Sequence, residues 1–294
     1  MQSHTTEKLR NGMVGFDAWP DERAIDCLFS GQVEALAAVS QVSDQIARAG
    51  QSMAGAISAG KVISYAAAGS SALMALADAL ELPGTFGIDP SQIRIMMAGG
   101  IPTNAMMLGS VEDDVQAARQ AAAEIVKGDT VIVLSVSGNT PYALTIAQIA
   151  REVGAVVIGI ANRQGAELLA LADIPICLET PSEVIAGSTR MGAGTAQKVA
   201  LNIISTMMGV HLGHVHDGMM VNVVADNIKL IARAKIIVAK IASVDANTAN
   251  ACLKQTGGAV KPAILLALGA SNLQHAVKLL ENSKGHLRPA MERL

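Results

Sequence analysis

The chain has 294 residues, enough for one large α/β domain or for a medium domain with a small one. Hydrophobic residues make up 51% and charged residues 16% of the chain, which excludes intrinsic disorder. The net charge is −3 without a basic cluster, which argues against a nucleic acid partner because its phosphate backbone requires clustered lysine and arginine.

A helical region over residues 32–58 precedes five short apolar segments, each of which is predicted to form a strand. None of the five alternates with polar residues, which is typical of strands buried on both faces of a parallel sheet. The segments are residues 62–66, 93–97, 130–135, 155–160 and 174–178. Because helical spacing lies between them, at 111–126 and 141–153, the repeated strand-helix-strand units predict a layered α/β domain.

Helical patterns continue at 191–210 and 219–241, and the last fifty residues then change character. Glycine-containing turns divide this final part into about three short helices, for which Asp245 and Ser271 are expected N-caps. The chain is therefore predicted to have three parts. They are an N-terminal helical segment over 1–58, a central α/β domain over 59–242 and a small helical C-terminal module over 243–294.

Polar loops follow the first and third predicted strands, and ligands of open parallel sheets bind at such strand ends. The loop residues are Gly69, Ser70 and Ser71 after the first strand, and Ser135, Ser137, Gly138, Asn139 and Thr140 after the third. Thr140 is an expected N-cap of the helix that begins at Pro141, whose first-turn N–H groups would join the hydroxyls in binding a phosphate. For one loop alone, a turn with a helix cap would be the better interpretation, but two such loops favour an anion site. Neither carries the lysine of a P-loop, so nucleotide binding has little support.

A third polar segment, residues 183–198, follows the fifth predicted strand. It contains Ser188, Thr189, Arg190 and Lys198, which are suitable donors to sugar hydroxyls and phosphates. The alternative interpretation is a helix cap with solvated charges.

The histidines at 211, 214 and 216, followed by Asp217, form a cluster that invites a metal-binding hypothesis. These residues straddle a predicted helix end and a glycine turn. A helix cap with solvated imidazoles is the commoner arrangement there, so no metal site is predicted.

Composition also bears on the cellular compartment. The longest uncharged run lies between Asp129 and Arg151, but polar residues and a proline interrupt it, which a lipid-exposed helix would not tolerate. The first residues contain no apolar stretch typical of a signal peptide. Three widely spaced cysteines predict buried free thiols, so we expect a soluble, cytoplasmic protein without a membrane partner.

The Ser-X-Ser-Gly-X-Thr-Pro pattern at 135–141 resembles the sugar isomerase (SIS) domain family. Within that superfamily, the strings at 187–191 and 193–198 resemble the N-acetylmuramic acid 6-phosphate etherases. Shorter similarities lie at 98–100, 110–113, 220–223 and 227–230. The resemblance implies an α/β three-layer sandwich with a five-stranded parallel sheet, followed by a small helical C-terminal module.

The resemblance also implies a chemistry. It indicates a carbon-oxygen lyase that cleaves the D-lactyl ether of N-acetylmuramic acid 6-phosphate into N-acetylglucosamine 6-phosphate and D-lactate, by elimination and hydration and without a cofactor. Carried onto this sequence, the family's general acid falls on Glu81 and its general base on Glu112. The apolar neighbours Leu80 and Leu82 are expected to keep the Glu81 carboxyl protonated.

This sequence departs from the family at three places around the expected ligand. The first loop has Leu73 where the family has arginine, Gly192 replaces a lysine, and the N-terminal motif is reduced to residues 6–11. A changed substrate therefore stays open, and two alternatives are a non-catalytic phosphosugar-binding regulator and an aldose–ketose phosphosugar isomerase. Binding without turnover would indicate the regulator, and interconversion without a leaving group would indicate the isomerase.

A homodimer is predicted from the long helices rich in alanine and methionine. They offer more apolar surface than one sheet covers. The resemblance implies a dimer as well, with ligand sites near the subunit boundary.

Overall fold

The structure is a computed structural model that describes residues 8–107 and 109–294. Residues 1–7 lie outside the described residues. They include the first part of the segment in which no signal peptide is expected, and the beginning of the reduced motif at 6–11. The chain divides into two compact units, one with the residues up to Ala79 and Ser91–Ser205, the other with Leu80–Pro90 and Thr206–Leu294. The three-part division predicted from the sequence stays a prediction.

A five-stranded parallel sheet forms the centre of the first unit. Its strands are β1 (Ile63–Ala67), β2 (Ile93–Met97), β3 (Thr130–Leu134), β4 (Val156–Ala161) and β5 (Ile174–Cys177), in the order β2-β1-β3-β4-β5. β1 and β3 are buried at every residue, as strands covered on both faces must be. The predicted parallel sheet is confirmed, and each strand lies within one residue of its predicted limits.

Helices cover both faces of this sheet. The helices before and between the strands are α1 (Asp21–Ser40), α2 (Ser43–Ser58), α3 (Gly69–Phe86), α4 (Val115–Ala122), α5 (Pro141–Val153) and α6 (Glu167–Leu171). Residues of α4, α5 and α6 pack in one core with Val131 and Val133. Side chains alternate along a strand, so Thr130 faces the other side, where its hydroxyl lies 3.1 Å from that of Ser52 on α2. The predicted three-layer sandwich is confirmed.

Within the first unit, a buried carboxyl group on α3 is bonded to β1 and to the next long helix, α7 (Gly192–His211). Asp78 on α3 accepts hydrogen bonds from the Tyr65 hydroxyl on β1 at 2.9 Å and from Asn202 Nδ2 and Ser205 Oγ on α7 at 2.7 and 3.0 Å. Burial raises the pKa of the Asp78 carboxyl, and it raises the pKa of Tyr65 well above its usual value. Three donors compensate the cost of burying this side chain.

The second unit is mainly helical. It contains a short hairpin of β6 (Val215–His216) and β7 (Met219–Met220), followed by α8 (Ile228–Ala242), α9 (Ala246–Gln255), α10 (Val260–Ala267), α11 (Leu273–Asn282) and α12 (Leu287–Met291). The additional helices at the C-terminus are thereby confirmed. Among the described residues, no helix is both long and apolar enough to cross a membrane. Cys27, Cys177 and Cys252 are free thiols, as predicted, but Cys27 and Cys177 are half-buried and only Cys252 is buried, so the prediction of burial is wrong for the first two.

Two predictions for the C-terminal part are wrong. Four helices follow residue 243 instead of three, because α12 begins after Gly285. The cap of α11 is Asn272, whose side chain accepts from the His275 N–H at 2.8 Å, whereas Ser271 lies one residue too early. Asp245 does cap α9, accepting from two N–H groups of its first turn.

Three predicted helices are shorter or divided. The region 32–58 belongs to α1 and α2, which are separate helices. The segment 111–126 contains a 3₁₀ turn and then α4, because Asp114 accepts from the Ala117 N–H and starts a new helix. The segment 219–241 begins with β7, since Asp217 and Gly218 adopt positive φ angles that suit a tight hairpin turn.

The histidine cluster lies in the second unit beside a buried lysine. Lys261 Nζ donates to the Gly213 and Gly285 carbonyls at 3.2 and 2.9 Å. Burial and the charge of Lys261 lower the pKa of His214 to about 4. Among the described residues, no group of three or more His, Cys, Asp or Glu side chains is arranged to hold a metal ion.

This arrangement predicts acid sensitivity. Because the folded-state pKa of His214 lies below the ordinary 6.5, the unfolded chain takes up the proton first as the pH falls. The free energy of unfolding should therefore decrease between pH 6.5 and about 4, by on the order of 2–3 kcal/mol, in chemical denaturation at each pH. His214→Gln should lose this component and the control His275→Gln should keep it. The same pH dependence in His214→Gln as in the wild type would contradict the prediction.

Candidate functional site

The two polar loops meet at one edge of the sheet. β1 and β3 are neighbours whose last residues, Ala67 and Leu134, are paired, so both loops begin at the same level. A cavity of about 150 Å³ opens between them. It is lined by Ala68, Gly69, Ser70, Ser71, Glu112, Ser135, Val136, Ser137, Thr140 and Thr189. The structure thus brings together most of the predicted loop residues with one of the two predicted glutamates.

Hydroxyl groups are organised around Ser135, which is itself buried. Its Oγ lies 2.8 Å from Thr140 Oγ1 and 3.3 Å from Ser137 Oγ, and it accepts from the Gly138 N–H at 3.0 Å. Ser137 Oγ accepts from the Asn139 N–H at 3.2 Å. These bonds fix the loop before any ligand binds, with several hydroxyls directed to one place.

The start of α5 lies beside these hydroxyls. Thr140 occupies the predicted N-cap position ahead of Pro141, but its side chain makes no capping hydrogen bond because its hydroxyl is bonded to Ser135. The first-turn N–H groups are therefore not capped by this side chain. A helix N-terminus of this kind favours an anion through its N–H groups and its dipole.

Glu112 approaches the first loop from the side. It lies in the 3₁₀ turn Gly109–Asp113, and the prediction that it begins a long helix is wrong. A Cβ added at Gly69 would lie 2.6 Å from Glu112 Oε1, and Gly69 has a φ of +56°, so only glycine fits this position. Partial burial, with a smaller contribution from the charge of Asp113, raises the pKa of Glu112. A carboxyl group with a raised pKa beside a polar cavity is a candidate proton carrier.

Five predicted binding residues lie outside the cavity lining: Gly138, Asn139, Ser188, Arg190 and Lys198. Asn139 supports the loop, since its Oδ1 accepts from the Glu167 N–H at 3.2 Å. Gly138 has a φ of +67° and lies so close to Ala166 that a Cβ would be 2.4 Å away. Arg190 and Lys198 are exposed.

Glu81 belongs to the second unit, in the part of α3 that follows Ala79. Its side chain is exposed. Leu82 is buried but Leu80 is 63% exposed, so the expectation that both leucines shield the Glu81 carboxyl is wrong for Leu80. The reason is helix geometry, because residues two positions apart point in different directions and only Leu82 faces the interior.

Sequence reasoning did not select Glu183 as a separate site residue. It is buried and accepts from the backbone N–H groups of Gly192 and Ala193. These partners lie nine and ten residues away, beyond the spacing of a capping box, so no local pattern indicates them.

Comparisons with known proteins identify the family. The SIS domain model matches residues 30–162. N-acetylmuramic acid 6-phosphate etherase of Deinococcus radiodurans is 35% identical over 288 residues, covering 97% of this chain and 94% of the relative. The enzyme of the same name from Geobacillus thermodenitrificans is 38% identical over 260 residues, 88% of each chain. The chain belongs to the N-acetylmuramic acid 6-phosphate etherase family.

A solved structure supports the fold of this etherase family member. A protein of E. coli CFT073, solved as a complex, has a TM-score of 0.51 and 15% identity, covering 68% of this chain and 97% of that chain. At this identity the likeness extends to the SIS fold alone. The resemblance to SIS domains and to the etherases, predicted from the sequence, is confirmed.

The hydroxyl cluster predicts that removing the Ser135 hydroxyl weakens the binding of anions. Ser135→Ala should weaken the binding of inorganic phosphate by about tenfold or more, since Gly138 N–H and the Thr140 hydroxyl lose their shared partner. Calorimetric titration with phosphate measures this change. The control is Ser52→Ala, which breaks a hydroxyl pair at the opposite end of β3 and should leave phosphate affinity unchanged. Equal phosphate affinity in Ser135→Ala and the wild type would contradict the assignment.

Proposed function

We propose that this protein cleaves the D-lactyl ether of N-acetylmuramic acid 6-phosphate, giving N-acetylglucosamine 6-phosphate and D-lactate. The observation that carries the proposal is the cavity lined by the hydroxyl cluster, which includes the N-cap residue Thr140 of α5, and by Glu112. Membership of the etherase family over nearly the whole chain supports this substrate.

The phosphate of the substrate binds at the hydroxyl cluster. Ser70, Ser71, Ser135, Ser137 and Thr140 supply hydroxyl donors, and the first turn of α5 supplies N–H groups. Holding the phosphate fixes the open-chain sugar, whose aldehyde acidifies the proton on C2. This positioning lowers the entropic part of the barrier.

Glu112 acts as the general base. It lines the same cavity as the proposed phosphate ligands and takes the acidified C2 proton. Partial burial raises the pKa of Glu112, so its carboxylate binds a proton more strongly than an exposed glutamate does.

Glu81 acts as the general acid and donates a proton to the departing lactate oxygen. Water then adds to the unsaturated intermediate, with the two carboxyl groups in reversed roles. Because Glu81 is exposed, its carboxyl group is accessible to the departing lactate oxygen and to the incoming water. The proposed steps need no metal ion or organic cofactor.

Glutamine variants test these roles. Glu112→Gln and Glu81→Gln should each lower the rate of D-lactate release by about 10²–10⁴, the usual contribution of a positioned acid or base. A coupled assay for D-lactate with the phosphosugar as substrate measures the rate. Absence of release by the wild type would overturn the substrate, and binding without release would support a regulator. Full activity in either variant would overturn the role of that residue.

The role of Glu112 as general base also predicts how kcat/KM depends on pH. Since a base must be deprotonated, kcat/KM should decrease as the pH falls through the raised pKa of Glu112. The charge of Asp113 contributes to that raised pKa, so Asp113→Asn should move the acidic limb to lower pH. An unmoved limb would speak against Glu112 as the titrating group.

We also propose that the protein is a cytoplasmic homodimer. In α1, Ile25, Phe29 and Val33 are exposed by 62%, 69% and 50%, and their spacing of four residues places them on one helix face. An apolar stripe of this kind favours a protein partner.

Light scattering tests the dimer. The wild type should have twice the 30.2 kDa mass of one chain, and Phe29→Glu should shift it toward the monomer by placing a charge in the apolar stripe. The control Val126→Glu, at an exposed valine outside α1, should keep the wild-type mass. A wild-type monomer at micromolar concentration would contradict the proposal.

A further inference from the structure

A buried carboxylate closes the polar loop that leads into α7. Glu183 is 5% exposed, and its two oxygens accept from consecutive backbone N–H groups at the start of the helix. Oε2 accepts from Gly192 and Oε1 from Ala193, each at 2.9 Å. Both oxygens of one side chain are therefore bonded to the same helix end.

The charge of this carboxylate is compensated by backbone alone. Among the described residues, Glu183 forms no ion pair with a lysine, arginine or histidine. Charge-assisted hydrogen bonds and the helix dipole are what stabilise it. A Cβ at Gly192 would be 3.1 Å from Glu183 Oε2 and 3.0 Å from the Cβ of Ala35, so a residue without a side chain permits this close approach.

The segment between Glu183 and Gly192 is folded on itself. The Ser188 N–H donates to the Ile185 carbonyl at 2.9 Å, and the Thr189 carbonyl accepts from the Gly194 N–H at 2.8 Å. Thr189 lines the cavity together with Glu112 and the serines of the first two loops. The position of this threonine therefore depends on a loop whose two ends Glu183 joins.

Neighbouring contacts hold the flanks of the loop but do not join its ends. Arg10 Nη1 donates to the Ser182 carbonyl at 3.3 Å, just before the loop. The Thr195 hydroxyl donates to Gln32 Oε1 at 2.6 Å, just after it. In the described part of the chain, the direct side-chain link between the beginning and the end of the loop is the pair of hydrogen bonds that Glu183 accepts from Gly192 and Ala193.

We propose that Glu183 is a positioning residue of the sugar-phosphate site, which holds Thr189 at the cavity by closing the 183–192 loop on α7. This inference rests on the proposed function. It also accounts for a difference between the N-termini of α7 and α5. The N-terminus of α7 is already bonded to a carboxylate, whereas that of α5 has no side-chain cap and is available to the phosphate.

A double-mutant cycle tests the inference. The affinity for N-acetylglucosamine 6-phosphate is measured by calorimetry for the wild type, Glu183→Gln, Thr189→Ala and the double variant. Glu183→Gln places an NH₂ group against a backbone N–H, so its Kd should rise by about tenfold. Thr189→Ala should raise the Kd by a similar factor. If Glu183 acts through Thr189, the double variant should bind no more weakly than the weaker single variant.

Controls separate this role from general stability. Asp245 likewise accepts from two consecutive N–H groups at a helix start, that of α9, with an exposed carboxylate, so Asp245→Ala should lower Tm without changing the Kd. If Glu183→Gln does not fold, Gly192→Ala provides a milder change of the same contact and should also raise the Kd. An unchanged Kd in the folded variant, or additive effects in the double variant, would overturn the inference. Failure of the wild type to bind the phosphosugar would instead overturn the proposed function.

Discussion

The pairing of β1 with β3 is the constraint on which the candidate site depends. The chain adds β2 on one side of β1 and β3 on the other, so the strand order reverses between β1 and β3. At such a point the loops diverge to opposite faces and leave a crevice at the carboxyl edge. The pairing of Ala67 with Leu134 brings both polar loops to the same height, and the cavity lies between them. A shift of this register would separate the hydroxyl cluster from Glu112.

Small residues make the close approaches in this crevice possible. Gly69 lets the Glu112 carboxyl lie against the loop backbone, and Gly192 does the same for Glu183 at the start of α7. Alanines of α4 and α5 form much of the core beneath the site. Only 2% of the residues are aromatic, and the interior is filled largely by small side chains. Because protein interiors pack densely, small side chains bring the backbones of neighbouring elements close together.

The sequence predicts the sheet well and the site in part, for identifiable physical reasons. Strands buried on both faces leave continuous apolar runs, so all five could be located from composition and order alone. The loops at 69–71 and 135–140 follow from those strands. The hydrogen bonds that Glu183 accepts from Gly192 and Ala193 could not be predicted, because they span nine and ten residues and depend on how the loop folds. The exposure of Leu80 depends on packing around α3, which its apolar character does not reveal.

The cavity also indicates how a phosphate can be held by a chain that has Leu73 where the resemblance implies an arginine. Among the described residues that line it, none is lysine or arginine, whereas six carry a hydroxyl group. Neutral donors in a fixed arrangement can stabilise a phosphate without an ion pair, since helix starts and oriented amides supply partial positive charge. Fixed dipoles do not have to lose side-chain freedom when the ligand binds, unlike a long cationic side chain. The phosphosugar affinity of this protein should consequently depend on the geometry of Ser135 and its partners more than on formal charge.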